Sequence, residues 1–210
     1  MTVHNFTPQL KKYIAARLND QNTPVVVTGM PIEDGDIPHI LIATGYAVFR
    51  VPRPIYQMTF QNYFHREPPG PGEGFRMNGD EEIDFHQQCQ QWEHAKNNCQ
   101  TEAHLTPYLL DAFATKGKRN KYLRLLWADP HTIWIDADIL NTVDARWGDL
   151  KAAAAATDPV YFRGENTEAI LLPFRRCVQS ERPGDNPLLI RETEMARVWY
   201  ERRTTADRRE

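Results

Sequence analysis

Cysteine is scarce in this chain of 210 residues, with only Cys89, Cys99 and Cys177 present. An odd, sparse set excludes a disulfide framework, so a reducing, cytoplasmic setting is expected. Long apolar runs are also missing. Val25-Val26-Val27 and Ile170-Leu171-Leu172 fall far short of the roughly 20 residues that a membrane span requires, so no membrane partner is expected. The opening MTVHNFTPQLKK holds neither an apolar core nor a small-residue cleavage site, and no secretory leader is expected in it. Charge of one sign is lacking as well, since 25 Lys and Arg against 28 Asp and Glu give a net charge of −3. Residues 1–105 carry 8 basic and 12 acidic residues, and residues 106–210 carry 17 and 16. Neither portion has the basic excess of a dedicated nucleic-acid domain.

Glycine is outnumbered by proline, 11 to 15, which inverts the usual order and points to short, punctuated elements. No glycine-rich phosphate loop can be built, because Gly70, Gly72 and Gly74 sit among prolines without a following Lys-Ser/Thr. No Gly-x-Ser-x-Gly elbow occurs, and Cys177 has no catalytic signature around it. Nucleophilic catalysis therefore has no sequence support, and no cofactor is expected.

What is present reads as alternating helices and strands. Thr7-Pro8 supplies a cap and a first helical position, and Leu10, Tyr13, Ile14 and Leu18 follow at helical spacing, predicting a helix over 8–19. Val25–Thr28, His39–Ala43 and Tyr46–Val51 are rich in β-branched and aromatic residues and predict strands. Pro68–Gly74 is the clearest loop, and 80–104 is a polar segment with a weak helical period. Thr106-Pro107, followed by Leu109, Leu110 and Phe113, repeats the first helix signal 99 residues on. Tyr122–Trp127 and Thr132–Leu140 predict strands, the second turning helical near its end. Ala152–Ala156 predicts the end of a connecting helix. Val160–Arg163 and Glu168–Pro173 form a predicted hairpin, and Glu192–Arg203 a closing helix with Met195, Val198 and Trp199 as its apolar stripe.

Several groups could carry chemistry. His86, Cys89, His94, Cys99 and His104 place five zinc-preferred side chains within nineteen positions. Their spacing fits no CxxC…HxxxH pattern, and a helix would send them to different sides, which favours a polar surface segment over a metal site. Asp136 and Asp138 share one face of a strand, as Mg²⁺ ligands do, without a third acid or a phosphate-binding element. Trp134 lies on that same face, away from the expected core, and is the candidate contact for a partner or a second subunit.

One set of segments resembles a known family. Ile40-Leu41-Ile42-Ala43-Thr44-Gly45-Tyr46-Ala47-Val48 resembles the strand, Ala-Thr-Asp-Gly-like turn and strand in domains of the bacterial DNA sliding clamp. Pro159–Phe162 with Ala169–Arg175 resembles that family's closing hairpin, where a hydrophobic strand runs into a Met-Pro-X-Arg-like ending. Ile135–Leu140 is similar to the strand-into-helix segment before it. The turn acid is missing, the chain is shorter than a three-domain clamp protomer, and residues 65–104 have no counterpart.

The resemblance implies an α+β fold of two loosely similar clamp-like halves, with antiparallel sheets and helices packed on one face. The halves span 1–66 and 106–210, and 67–105 forms a Pro/Gly-rich loop and polar linker. In that family, helices line the hole of a ring that holds a polymerase on DNA, and a two-domain protomer would need three copies. The phosphate-facing candidates are Lys11, Lys12, Lys116, Lys118, Arg119 and Lys121, whose contacts would be sequence-independent. The expected function is non-enzymatic binding in DNA replication, or as a phage or mobile-element factor that binds host proteins. A protein partner or self-association is expected, with double-stranded DNA as a further partner. The alternative is a metal-dependent nucleic-acid-processing enzyme using Asp136 and Asp138 or the His86–His104 segment.

Overall fold

The computed structural model describes residues 6–20, 23–32, 37–78, 82–112, 121–143, 148–155, 157–164, 167–174 and 187–207. Helix α1 (Phe6–Leu18) places Leu10, Tyr13 and Ile14 in the core and leaves Lys11 and Lys12 exposed, as its apolar spacing dictates. Strands β1 (Val25–Gly29), β2 (His39–Ala43) and β3 (Ala47–Pro52) follow as an antiparallel meander. β1 is buried along its whole length, which accounts for its unbroken β-branched run. Past β3 the chain winds through α2 (Arg53–Tyr56), a π turn (Gln57–Gln61) and α3 (Asn62–Phe64), and Tyr56, Phe60 and Phe64 from this stretch pack together beneath the sheet.

The proline-rich strap leads to the edge strand β4 (Gly74–Met77), which pairs with β1. Helix α4 (Phe85–Asn98) starts at Asp84, whose carboxylate accepts the Gln87 N–H at 2.9 Å. Next come β5 (Thr101–Glu102) and β6 (His104–Ala112), then β7 (Lys121–Ala128), β8 (His131–Asp136) and α5 (Ala137–Thr142). The chain ends with β9 (Asp149–Ala152), β10 (Val160–Arg163), β11 (Glu168–Leu171) and α6 (Pro187–Asp207). Mixed helices and antiparallel sheets make this an α+β fold.

The large sheet runs β4-β1-β2-β3-β11-β10-β9-β5, and β6-β7-β8 form a second sheet. A helix followed by three antiparallel strands thus occurs twice, as α1-β1-β2-β3 and as α5-β9-β10-β11. The third strands of the two sets, β3 and β11, pair at the centre. α1 and α5 pack against each other on one face of the sheet, over a core that includes Ile14, Phe49, Val160 and Leu171. α4 covers part of the opposite face through Cys89 and Trp92. The small sheet is buried on both sides: Leu126, Ile133 and Ile135 join the main core, while Leu123, Leu125, Trp127 and Trp134 meet Ala196 of α6.

Three sequence expectations change. Thr106-Pro107 opens no helix and lies in edge strand β6, where the Thr106 hydroxyl donates to the Leu125 carbonyl at 2.7 Å. Pro107, with no N–H to give, sits at the register shift between Leu105 and Leu109, a position an edge strand tolerates. The topological counterpart of α1 is therefore α5, and the expected halves share one continuous sheet. Ala152 ends strand β9 instead of lying in a helix. Burial of Leu150 and Ala152 beside exposed Asp149 and Lys151 overrides the helix propensity of the alanine run. Finally, β4 follows directly from the proline-rich loop, and Pro71 of that loop bridges to Gly29.

Candidate functional site

Two hollows combine accessible side chains with unusual chemistry, and they lie at different places on the sheet. The first forms at the β2–β3 turn. The Thr44 hydroxyl organises this turn, accepting the Ala47 N–H at 3.1 Å while the Thr44 N–H donates to the Ala47 carbonyl at 2.7 Å. The Tyr13 hydroxyl lies 3.4 Å from Thr44 Oγ1, and burial pushes this phenol's pKa above its ordinary value. The turn so fixed holds Tyr46 outward, 45% exposed, with the Arg17 guanidinium 5.2 Å from its ring centroid.

Beyond β11 the chain stays extended. The Leu172 N–H donates to the Tyr46 carbonyl at 3.0 Å and the Phe174 N–H to the Trp134 carbonyl at 2.8 Å, so residues 172–174 cross from the large sheet to the small one. Between these bonds and the start of α5 lies a hollow of about 400 Å³, lined by Gly45, Tyr46, Asp136, Ile139, Leu172 and Phe174. Leu172 and Phe174 are 41% and 44% exposed.

The second site is a charged row on the α4 side of the large sheet. Strand register sets Arg50, Glu168, Arg163 and Asp149 opposite one another across β3, β11, β10 and β9, so the charges alternate in sign. Glu168 is the hub. It accepts the Tyr161 hydroxyl at 2.6 Å and Arg50 Nη1 at 2.9 Å, with Lys96 Nζ at 3.9 Å. Burial opposes ionisation of this carboxyl, but the Tyr161 hydrogen bond and the charges of Arg50 and Lys96 together outweigh it and hold its pKa below the ordinary value. The Tyr161 phenol is pushed up, first by burial and then by its hydrogen bond to the carboxylate. Arg50 Nη2 lies 3.1 Å from His39 Nδ1, and since a guanidinium only donates, that ring nitrogen is the acceptor. At the open end of the row is a hollow of about 200 Å³ lined by Lys96, Asn97, Lys151, Tyr161, Arg163 and Asp149 among others.

The residues singled out from sequence are dispersed. Lys11 and Lys12 are exposed on α1, and Lys11 Nζ stands 5.8 Å from the Tyr63 ring centroid. Lys116, Lys118 and Arg119 lie outside the described residues, as does the side chain of Lys121, which opens β7. His86 and His94 are exposed on α4, bonded to Gln90 and Asn98. Cys89 and Cys99 are buried, with thiol pKa values raised by desolvation, and Cys99 Sγ donates to the Pro159 carbonyl at 3.2 Å. His104 lies on β6, stacked on Tyr200. Among the described residues no three His, Cys, Asp or Glu side chains gather as a metal set. Asp136 and Asp138 do not share a strand face: β8 ends at Asp136, which caps α5, its Oδ1 accepting the Asp138 N–H at 2.9 Å, and Asp138 is exposed in the first turn of that helix.

Trp134 was expected to face away from the core, toward a partner; instead it is 7% exposed and its indole N–H donates to Glu192 at 2.9 Å. Its face of β8 is covered by the chain's own α6, so this contact is internal. Tyr46, Leu172 and Phe174 were not singled out as site residues, although they belong to the clamp-like segments. The available signal was a large apolar residue in a tight turn and two more past a strand end. Among the described residues no helix is long and apolar enough to cross a membrane.

No protein-family model, curated protein or solved structure matches this chain.

Proposed function

We propose that this chain is a protein-binding module with a sliding-clamp-like arrangement of helices and sheet, and that the Tyr46–Phe174 hollow receives an extended apolar stretch of a partner protein. One observation carries this. The turn and the strand ending that resemble clamp domains are more than a hundred residues apart in sequence, yet they line one hollow, and three large apolar side chains there are more than 40% exposed. Isolated exposed apolar residues are ordinary, whereas three around one concavity are the usual mark of a binding surface. A volume of about 400 Å³ falls within the roughly 300–1,000 Å³ of ligand-sized pockets. Asp136 at the rim favours a partner segment in which Leu or Phe is flanked by Lys or Arg.

The packing of α1 and α5 on one sheet face agrees with the helical layer that the clamp resemblance implies. Among the described residues the cations of that layer are Lys11, Lys12 and Arg17, the last lying over the Tyr13 and Tyr46 rings, and Asp138 is exposed at the start of α5. Protein binding is therefore the better supported activity.

The test is selection of displayed heptapeptides on the wild-type chain, with each recovered peptide then measured against Leu172→Glu. Recovery of Leu- or Phe-containing peptides that bind the variant at least tenfold more weakly supports the proposal. Failure to enrich any sequence, or peptides that bind both proteins equally, overturns it.

A further inference from the structure

We propose that the hollow beside the last turn of α4 binds a compact phosphate-type anion, at a surface separate from the Tyr46–Phe174 hollow. Its wall carries three cations, Lys96, Lys151 and Arg163, and one carboxylate, Asp149. Glu168 lies behind this wall, and its charge is engaged by Arg50 and by the Tyr161 hydroxyl. Lys96 Nζ stays 3.9 Å from that carboxylate, beyond hydrogen-bond length, and 5.9 Å from the Tyr161 ring centroid. Its ammonium therefore keeps donors for another acceptor. Lys151 and Arg163 are exposed and form no ion pair among the described residues.

The charge count decides the sign of the ligand. Among the side chains that line the hollow, the three cations face one carboxylate, an excess of two positive charges; Glu102, opposite Lys151 across β5 and β9, and Asp158, close to Cys99, lie outside that lining. The carbonyl end of α4 contributes only about half a negative charge, which does not cancel that excess. Furthermore, the Cys99 N–H donates to the Lys96 carbonyl at 3.3 Å and Gln100 Nε2 to the Asn97 carbonyl at 2.6 Å, which partly satisfies that end.

Size sets the class. A hollow of about 200 Å³ lies under the roughly 300 Å³ at which drug-sized pockets begin, so the occupant is one anionic group with little attached to it. A phosphate near −2 at neutral pH matches the excess charge, and its oxygens suit two ammonium groups and a guanidinium. Free phosphate and the phosphate group of a small ester share this chemistry.

The experiment is an amide-resolved NMR titration of the full chain with inorganic phosphate and, in parallel, with glycerol 3-phosphate, against chloride at matched ionic strength. Saturable shifts confined to residues 96–100, 151 and 163, weakened at least fivefold in Lys151→Gln and again in Arg163→Gln, support the proposal. Both variants alter exposed side chains, so the fold is retained. Tighter binding of the ester identifies an ester as the ligand, and equal or tighter binding of inorganic phosphate identifies the free ion. Shifts no larger than those given by chloride, or shifts that persist in both variants, overturn it. A peptide selection that enriches nothing, or peptides that bind Leu172→Glu as well as wild type, leaves these outcomes unaffected, so the two proposals fail separately.

Discussion

The Tyr161 hydroxyl donates to Glu168 Oε1 across 2.6 Å, from strand β10 to strand β11, on the face of the sheet that α4 only partly covers. This bond and the Arg50 ion pair keep Glu168 charged against the cost of its burial. Tyr161→Phe removes the donor and retains the ring, so the expected loss is about 1–3 kcal/mol, the range for a hydrogen bond to a buried charged group. Because the folded carboxyl titrates below its ordinary value of 4.5, its stabilisation is complete above that pH and fades as pH falls through the folded value. The gap between wild type and variant should thus be widest near neutrality and narrow in acid. Urea unfolding of both proteins at neutral pH and well below 4.5 checks this, and a gap that does not change with pH would assign the loss to packing alone.

Gly29 ends β1 under the proline-rich strap, and a Cβ there would run into the Gly70 carbonyl and stand 2.7 Å from the Pro69 carbonyl oxygen. The obstruction is backbone, which cannot swing aside as a side chain can. The strap is tied to this spot by the Gly29 N–H to the Glu73 carbonyl and the Gly72 N–H to the Gly29 carbonyl, both 2.9 Å. Gly29→Ala is expected to cost about 1–3 kcal/mol as overpacking forces these bonds apart. A lowered denaturant midpoint together with faster exchange of the Gly72 amide would register it, and an unchanged midpoint would show that the strap can lift without cost.

Much of this architecture was legible where one residue's neighbours in sequence are also its neighbours in space. The apolar spacing of Leu10, Tyr13 and Ile14 foretold α1, and the alternation over Ile133 and Ile135 foretold β8 and its passage into α5. Thr106-Pro107 misled because its helix-start chemistry is local, whereas the partner of its hydroxyl, Leu125, lies across a strand pairing. The charged row was invisible for the same reason: Arg50 and Glu168 are 118 positions apart and meet only because β3 pairs with β11. The Tyr46–Phe174 hollow falls between these cases. Each of its segments was conspicuous, and their meeting required the same central pairing.

Leu172 gives a contrast between binding and packing. Leu172 is 41% exposed on the rim of the hollow and belongs to none of the core clusters, so Leu172→Ser should cost no more than about 1–2 kcal/mol, below the range of a core leucine truncation. Calorimetry of the two proteins is sufficient. A loss of several kcal/mol would make Leu172 part of the core and undercut its assignment to a binding surface.

His104 stacks on Tyr200 with ring centroids 4.6 Å apart and planes at 30°, joining edge strand β6 to α6. Burial pushes the imidazole below its ordinary 6.5; Glu102, 3.8 Å away but largely exposed, pulls it back up, and Arg203 of α6 pushes it down. The folded protein therefore prefers the neutral ring. Its contribution to α6 docking is complete above pH 6.5 and is lost as pH falls through the folded value, by at most about 1.4 kcal/mol per pH unit. Amide exchange within α6, corrected for its intrinsic pH dependence, should accelerate below pH 6.5 while exchange in the central strands β3 and β11 does not. His104→Phe keeps an aromatic ring against Tyr200 and cannot take up a proton, so it should flatten the response. If α6 loosens in acid to the same degree in that variant, the pH sensitivity belongs to another group, and the carboxylates of α6, Glu192, Glu194, Glu201 and Asp207, become the next to remove.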